Sequence, residues 1–300
     1  MSTESAAGRL RAPAGALSAG RLQRRLGRGV VYLLVTALAL LFALPLLWTV
    51  TTSLKAPGEL YVFPPTFLPG ELRFGNFPRA WNYVPFGSFY LNTATIAVLG
   101  TLGAVLSSCL VAYGFARGRF PGRNALFYLV LSTLMLPSEV TIIPKFLIFK
   151  ELGWLDTYKP LIVPDWFGGG AFNIFLLRQF FMTIPRTFDE AAKVDGAGSF
   201  RILWAILLPL CGPALITVAI LTFLNHWNDF FEPLIYLNSP QNLTLSLGLR
   251  HFLLSPSEGG EPKDHLLMAA VLMAALPCIV LFFVAQRYFV RGIVMSGIKG

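Results

Sequence analysis

Charged residues are scarce in this sequence. Only 13% of its 300 residues are Asp, Glu, Lys or Arg and 55% are hydrophobic, whereas a soluble domain carries roughly 25% charged residues. This composition excludes an ordinary water-soluble fold and indicates that the chain lies in a lipid bilayer. The net charge of +9 does not indicate a nucleic-acid partner, because no basic soluble domain is visible and the Lys and Arg residues stand at the ends of apolar runs.

Motifs for catalysis and metal binding are also missing. The cysteines, Cys109, Cys211 and Cys278, lie inside apolar runs and have no CxxC partner, so we expect neither disulfides nor a zinc site. The sequence has no HExxH, no GxSxG and no GxxxxGK[ST] phosphate-binding loop. We therefore predict no enzyme, no cofactor and no ATP site in this chain. If the chain moves a solute uphill, a partner or an ion gradient must supply the energy.

Six apolar segments are each long enough to cross about 30 Å of hydrocarbon. They cover about residues 30–51, 91–115, 125–144, 161–181, 202–224 and 266–285. Because backbone polar groups in hydrocarbon must find partners within their own segment, each is expected to be a helix. The predicted fold class is an all-α polytopic membrane protein with six transmembrane helices in residues 30–300, preceded by a disordered cytosolic tail at residues 1–29.

The distribution of Lys and Arg predicts the orientation. One set of flanking segments carries 16 of these residues and comprises residues 1–29, 116–123, 178–203 and 286–300. The opposite set carries 8 over a greater length and comprises residues 53–90, 143–160 and 225–265. The first set is therefore expected to be cytosolic, with both termini inside and the protein in the cell (inner) membrane.

The fourth segment contains helix-disrupting residues. Pro164, Asp165 and Gly168 to Gly170 occupy its outer half, where proline removes a hydrogen bond and glycine loosens the backbone. In one interpretation the helix begins near Ala171 and the preceding residues form an outer loop. In the other, broken backbone lies at membrane depth, which is tolerated only where protein or water surrounds it.

A polar insert separates the fourth and fifth segments. Thr187 and Glu190 have the spacing of a capping box, which predicts a short helix at about residues 188–194. Gly196 stands where such a helix would stop, and Ser199 is placed to cap the next helix.

The predicted short helix has one face of mainly small side chains, formed by Phe188, Ala191, Ala192 and Asp195. A helix of two turns is not stable alone in water, so one interpretation is that it binds in a groove on another protein. A solvated loop that merely reverses the chain is the alternative. Residues 184–201 are the predicted coupling loop.

Seven residues of this loop and the following span form a recognisable pattern: Glu190, Ala191, Ala192, Asp195, Gly196, Ala197 and Pro209. The pattern resembles the EAA loop of binding-protein-dependent (MetI-like) ABC transporter permeases. Residues 227–230 and the C-terminal motifs at 289–292 and 297–300 look like the carbohydrate-type subfamily. The resemblance covers about residues 30–300.

This resemblance implies a MetI-like fold and a function. The chain would be the permease subunit of an ABC importer for a sugar or related polyol, working by alternating access. Its partners would be a second permease subunit, two ABC ATPase subunits that contact the seven residues, and an extracytoplasmic solute-binding protein. A glycerol phosphate is the alternative substrate. A gradient-driven secondary transporter is the alternative class, although such transporters typically have inverted repeats and ionisable residues near the midplane of the bilayer.

Four polar or aromatic residues are candidates for the substrate pathway: Glu139, Trp227, Asn228 and Asp229. An aromatic face suits the C–H surface of a sugar, and an amide both donates to and accepts from hydroxyls. In the alternative interpretation these groups bond helix to helix, and Trp227 anchors the chain at the membrane interface.

Overall fold

The computed structural model describes residues 14–256 and 262–297, and these residues are all-helical. The predicted all-α class is confirmed. The α-helices are α1 (Ala14–Ser53), α2 (Asn76–Tyr83), α3 (Phe86–Arg117), α4 (Arg123–Ser132), α5 (Ser138–Glu151), α6 (Lys159–Gly168), α7 (Ala171–Thr183), α8 (Thr187–Val194), α9 (Ser199–Ile202), α10 (Leu208–Leu210), α11 (Gly212–Asn228), α12 (Phe231–Tyr236), α13 (Leu245–Leu254) and α14 (Asp264–Gly297). Residues 1–13 of the predicted tail lie outside the described residues, and α1 begins within the rest of it.

Four described helices are long and apolar enough to cross a membrane. They are Gly27–Ser53, Phe86–Arg117, Lys159–Thr183 and Asp264–Gln286. The third and fifth predicted segments are bent pairs of helices, α4 with α5 and α9–α10 with α11, so the described residues hold up to six spans. The bend between α10 and α11 is 83° and lies close to Pro209 and Pro213, each of which lacks the N–H of a continuous helix.

Helix α3 lies at the centre of the bundle and packs against α6, α7 and α11. Small residues make this close approach possible, as is common between membrane helices. A Cβ atom at Gly100 would lie 2.6 Å from Nε2 of His226, and one at Gly103 would collide with the indole ring of Trp166. The glycines of α3 therefore fix how near α6 and α11 can come.

The fourth predicted segment consists of two helices, α6 and α7, joined at Gly169 and Gly170 with φ of +60° and +84°. The outer-loop interpretation is wrong for Pro164 and Asp165, because both lie within helix α6. At the break, side chains replace the missing helical hydrogen bonds. Ser108 Oγ donates to the Gly169 carbonyl at 2.9 Å, and Asn173 Nδ2 donates to the same oxygen at 2.7 Å.

Candidate coupling loop and outer cavity

The predicted short helix of the coupling loop is present as α8, from Thr187 to Val194. Glu190 and Ala191 are exposed, whereas Ala192 is only 7% exposed and packs into the core that α8 shares with α3 and α7. The two alanines therefore do not share one docking face. Ala192 anchors the helix to its own bundle, and Ala191 lies on the outward side.

The C-terminus of α8 is a Schellman motif, which is defined by two nested backbone hydrogen bonds. The N–H of Ala197 donates to the carbonyl of Ala192 at 2.8 Å, and the N–H of Gly196 donates to that of Lys193 at 3.0 Å. Gly196 has φ of +77°, a backbone conformation that glycine adopts without strain. Asp195 is the C-cap residue. The position of this glycine was correctly predicted from the sequence.

The predicted caps are not formed. Helix α8 begins at Thr187 itself, with Arg186 as its N-cap residue and no capping hydrogen bond from a side chain. Ser199 is likewise the first residue of α9, which has no capping hydrogen bond from a side chain. The local capping expected from the sequence is therefore absent at both helices.

A buried ion pair holds α8 against the end of α3. Nε of Arg117 lies 3.0 Å from Oδ2 of Asp189, and the two side chains are 8% and 11% exposed. This contact is an ion pair without a hydrogen bond. Within the described part of the chain, neither Nε of Arg117 nor Oδ1 of Asp189 has a hydrogen-bond partner. Nη2 of Arg117 also donates to the carbonyl of Ile184 at 2.8 Å. No sequence pattern predicts this pair, since Asp189 is one of several acidic residues in the polar insert.

The outward surface of the coupling loop carries apolar side chains that the bundle leaves uncovered. Phe188 is 47% exposed, Val194 88% and Phe200 66%. Phe188 and Val194 lie among charged residues, outside the apolar helices, where lipid does not explain their exposure, whereas Phe200 lies in α9 at the start of the fifth candidate span. Pro209 is not part of this surface: it lies in α10, just before the bend that leads into α11.

A second candidate site is a cavity of about 730 Å³ between α5, α6, α11 and α12. Its charged or ionisable lining residues are Glu139, Lys145, Asp165, His226, Asp229 and Glu232. Two of the predicted pathway residues, Glu139 and Asp229, are therefore brought together here. The structure adds four that the sequence did not single out as candidate pathway residues.

Two side-chain pairs bridge the walls of this cavity. Nζ of Lys145 lies 3.0 Å from Oε1 of Glu232, which links α5 to α12. Nε2 of His226 lies 3.1 Å from Oδ2 of Asp165, which links α11 to α6. Each pair thus joins an element on one side of the cavity to an element on another.

Asp229 begins the turn between α11 and α12. Its Oδ1 accepts hydrogen bonds from the backbone N–H groups of Phe231 at 3.1 Å and Glu232 at 3.4 Å. Burial, together with the nearby Glu232 carboxylate, raises the pKa of Asp229 above its ordinary value. The side chain therefore positions α12 and also faces the cavity.

The structure does not bring Trp227 and Asn228 to the cavity. Trp227 is 4% exposed, stacks on Phe223 with ring centroids 5.5 Å apart, and donates from Nε1 to the carbonyl of Ala274 at 3.0 Å. Asn228 donates to the carbonyl of Leu224, one turn back, at 2.8 Å. A sugar has no exposed face of Trp227 to stack on, because the indole is buried and joins α11 to α14.

Comparison with known proteins identifies the family. Residues 104–295 match the model of the binding-protein-dependent transport system inner membrane component. The chain belongs to this family. The resemblance drawn from the coupling loop is thus confirmed, and the chain is a multi-pass inner-membrane permease of a transport system that depends on a binding protein.

Individual relatives agree with this assignment. The chain is 36% identical to the sn-glycerol-3-phosphate transport system permease protein UgpE of Yersinia pestis over 273 residues, covering 89% of this chain and 95% of the relative. It is 33% identical to the maltodextrin transport system permease protein MdxG of Bacillus subtilis, covering 92% and 98%. Among solved structures, a bacterial ABC transporter that imports the acidic polysaccharide alginate matches with a TM-score of 0.80 at 27% identity, covering 89% and 98%.

Proposed function

We propose that this permease imports a sugar or related polyol through six membrane spans with both termini in the cytosol. Two ABC ATPase subunits drive it, a second permease subunit completes the pathway, and an extracytoplasmic solute-binding protein delivers the substrate. The chain itself is not an enzyme. The observation that carries the proposal is the coupling loop, a short helix fixed to the bundle on one side and apolar and uncovered on the other.

Force from the ATPases enters through α8 in this mechanism. A groove on an ATPase subunit receives Phe188 and Val194, as in other helix-in-groove contacts, while Glu190 and Ala191 lie on the same outward side. The Arg117–Asp189 pair passes the motion of α8 to α3. Movement of α3 then reaches α6, α7 and α11, which pack on it.

The outer cavity is the proposed part of the substrate pathway in this subunit, with Glu139 and Asp229 as its candidate contacts. Alternating access requires that the cavity's two arrangements differ in their free energy of contact with the open and closed ATPase dimer. The Lys145–Glu232 and His226–Asp165 pairs are placed to break and re-form between those arrangements, because each joins elements that line the cavity.

The charge of the cavity favours a neutral substrate. Its described lining holds four carboxylates and a single lysine, and that lysine is already paired with Glu232. A phosphate would meet net negative charge here, which costs free energy where screening is weak. A glycerol phosphate is the second candidate, which the 36% identity with the Yersinia permease favours.

Site-directed crosslinking tests the coupling role. In a background without native cysteines, Val194→Cys places a thiol on the outward side of α8, and Ala192→Cys places one on the buried side of the same helix. We expect Val194→Cys to crosslink to a nucleotide-hydrolysing subunit in membranes and Ala192→Cys to give no product. Equal labelling of both positions, or crosslinks only to extracytoplasmic protein, would contradict the proposal.

Reconstitution separates the importer from a secondary transporter. The importer requires ATP and the partner subunits for uptake into vesicles. Uptake by this chain alone, driven by a proton or sodium gradient, would replace the proposal with the alternative class.

A further inference from the structure

Arginine side chains surround a small cavity beside the coupling loop, where the ends of α3 and α7 meet the start of α4. The cavity has a volume of about 230 Å³, and Arg117, Arg123, Arg178 and Arg186 line it. An adjoining cavity of about 510 Å³ shares Arg123 and Arg186 and adds Arg119. Among the described residues, no carboxylate lines either cavity.

Within the described part of the chain, Arg117 is the member of this group that forms an ion pair, while Arg119 and Arg186 also line a neighbouring cavity that contains Asp189 and Glu190. Arg117 pairs with Asp189, whereas Arg123, Arg178 and Arg186 form no ion pair in the described part of the chain. Nη1 of Arg123 donates to the carbonyl of Gly118 at 3.0 Å, which leaves its other donors available. Like charges held this close repel one another and are stabilised by a bound anion.

Arg178 is the residue that distinguishes this group from ordinary solvated arginines. It lies within the candidate span Lys159–Thr183, its guanidinium carbon is 4.0 Å from the ring centroid of Phe127, and its Nε is buried without a hydrogen-bond partner. A charged side chain within an apolar span usually has a functional reason. Contact with the ring of Phe127 places the guanidinium group against α4.

The surroundings of the cavity are apolar on the lipid side. Met182 lines the cavity and is 51% exposed, and Leu126 and Tyr128 on α4 are 49% and 68% exposed. A ligand with a phosphate and hydrocarbon chains matches both parts: the phosphate meets the guanidinium groups and the chains lie along α4 and α7. An acidic segment of a soluble partner would match the guanidinium groups but not the exposed apolar side chains on α4 and α7.

We propose that this arginine cavity binds the phosphate of an anionic phospholipid headgroup. Arg123 and Arg178 contact the phosphate, Arg186 adds charge at the entrance, and the lipid occupies the seam between α4 and α7. Because Arg186 directly precedes α8, the bound lipid lies next to the coupling loop. The proposal requires the chain to lie in a membrane, but it does not depend on the substrate or on the ATPase contact.

Native mass spectrometry of the full chain tests the proposal, with the protein purified from membranes together with any co-purifying subunits. The probes are phosphatidylglycerol and phosphatidylcholine. We expect phosphatidylglycerol to be retained preferentially and Arg123→Gln/Arg178→Gln to lower its retention about tenfold relative to wild type. If the first variant does not fold, Arg123→Gln/Arg186→Gln takes its place, because it leaves Arg178 unchanged. This variant is also expected to lower the retention of phosphatidylglycerol.

Arg73→Gln/Arg79→Gln is the matched control, because it removes the same charge from two exposed arginines in the segment between α1 and α3. It is expected to keep wild-type retention. Equal loss in the control, or no loss in either cavity variant, would overturn the proposal. Displacement of the lipid by millimolar inorganic phosphate would make the cavity a free-anion site, and displacement by an ATPase subunit would make it a protein contact; either result would also overturn it. The lipid result stands even if crosslinking of α8 to an ATPase fails.

Discussion

The Arg117–Asp189 ion pair gives the sharpest test of how α8 is attached to the bundle. Asp189→Ala removes the counter-charge and leaves the guanidinium of Arg117 buried, with the carbonyl of Ile184 as its hydrogen-bond acceptor. Breaking a buried pair from one side costs about 3 kcal/mol. At roughly 2 °C per kcal/mol for a chain of this size, the melting temperature falls by about 6 °C.

Thermal unfolding of the detergent-solubilised protein measures this loss, and a double-mutant cycle isolates the pair. The cycle compares Arg117→Leu and Asp189→Leu with Arg117→Leu/Asp189→Leu, which removes both charges and is expected to lie within about 1 kcal/mol of wild type, because two apolar side chains need no counter-charge. The coupling energy of the cycle is then about 2 kcal/mol or more. In uptake assays, the transporter assembled with Asp189→Ala is expected to transport less substrate while its ATPase subunits still hydrolyse ATP, since α8 no longer moves with α3.

The exposed pair of Arg73 and Glu71, 3.8 Å apart, serves as the control. Glu71→Ala is expected to change the stability by less than about 0.5 kcal/mol, as is usual for a solvated pair. Additive losses in the Arg117 and Asp189 cycle would refute the reasoning, because they would mean that the two side chains do not stabilise each other.

Three further predictions concern other positions. Gly196→Ala forces a Cβ into left-handed backbone at a cost of about 1–2 kcal/mol, so we expect reduced uptake by vesicles but unchanged membrane insertion; full uptake would contradict a strict need for glycine. Trp227→Phe removes the hydrogen bond to Ala274, which lowers the stability by about 1 kcal/mol without changing the KM for uptake; a changed KM at unchanged melting temperature would restore a substrate role. Hydrogen bonds from Ser239 hold the pKa of Asp156 below its ordinary value, so the stabilising effect of this carboxylate is present above about pH 4 and is lost on acidification. Wild type should therefore lose more thermal stability than Asp156→Asn between about pH 7 and pH 3, and equal losses would count against this role.

The sequence predicted the parts of the molecule that depend on local patterns. The C-terminal end of α8 and the role of Gly196 follow from turn chemistry that a few adjacent residues determine, whereas the capping box that was used to place the start of α8 is not formed. Long apolar runs predicted α3 and α14 for the same reason. The glycines before Ala171 correctly predicted a break in the fourth segment, although the span that they interrupt begins earlier, at Lys159.

Contacts between distant segments were beyond local patterns. Trp227 looks the same in sequence whether its ring faces a cavity or the core, and only the packing of α11 on α14 decides between them. The burial of Ala192 next to the exposed Ala191 depends on which side of α8 meets the bundle. The ion pair of Arg117 with Asp189 joins residues 72 positions apart, so its geometry exists only in the folded chain.

The break between α6 and α7 restricts how this permease changes shape. Ser108 on α3 and Asn173 on α7 both donate to the carbonyl of Gly169, which is buried at the break. Turning α6 relative to α7 therefore either breaks the hydrogen bond from Ser108 or carries α3 along, and the second alternative keeps both hydrogen bonds. The break at Gly169 and Gly170 therefore couples α6, α7 and α3 instead of letting α6 turn independently. A small molecule bound at this break would then block the movement of all three helices.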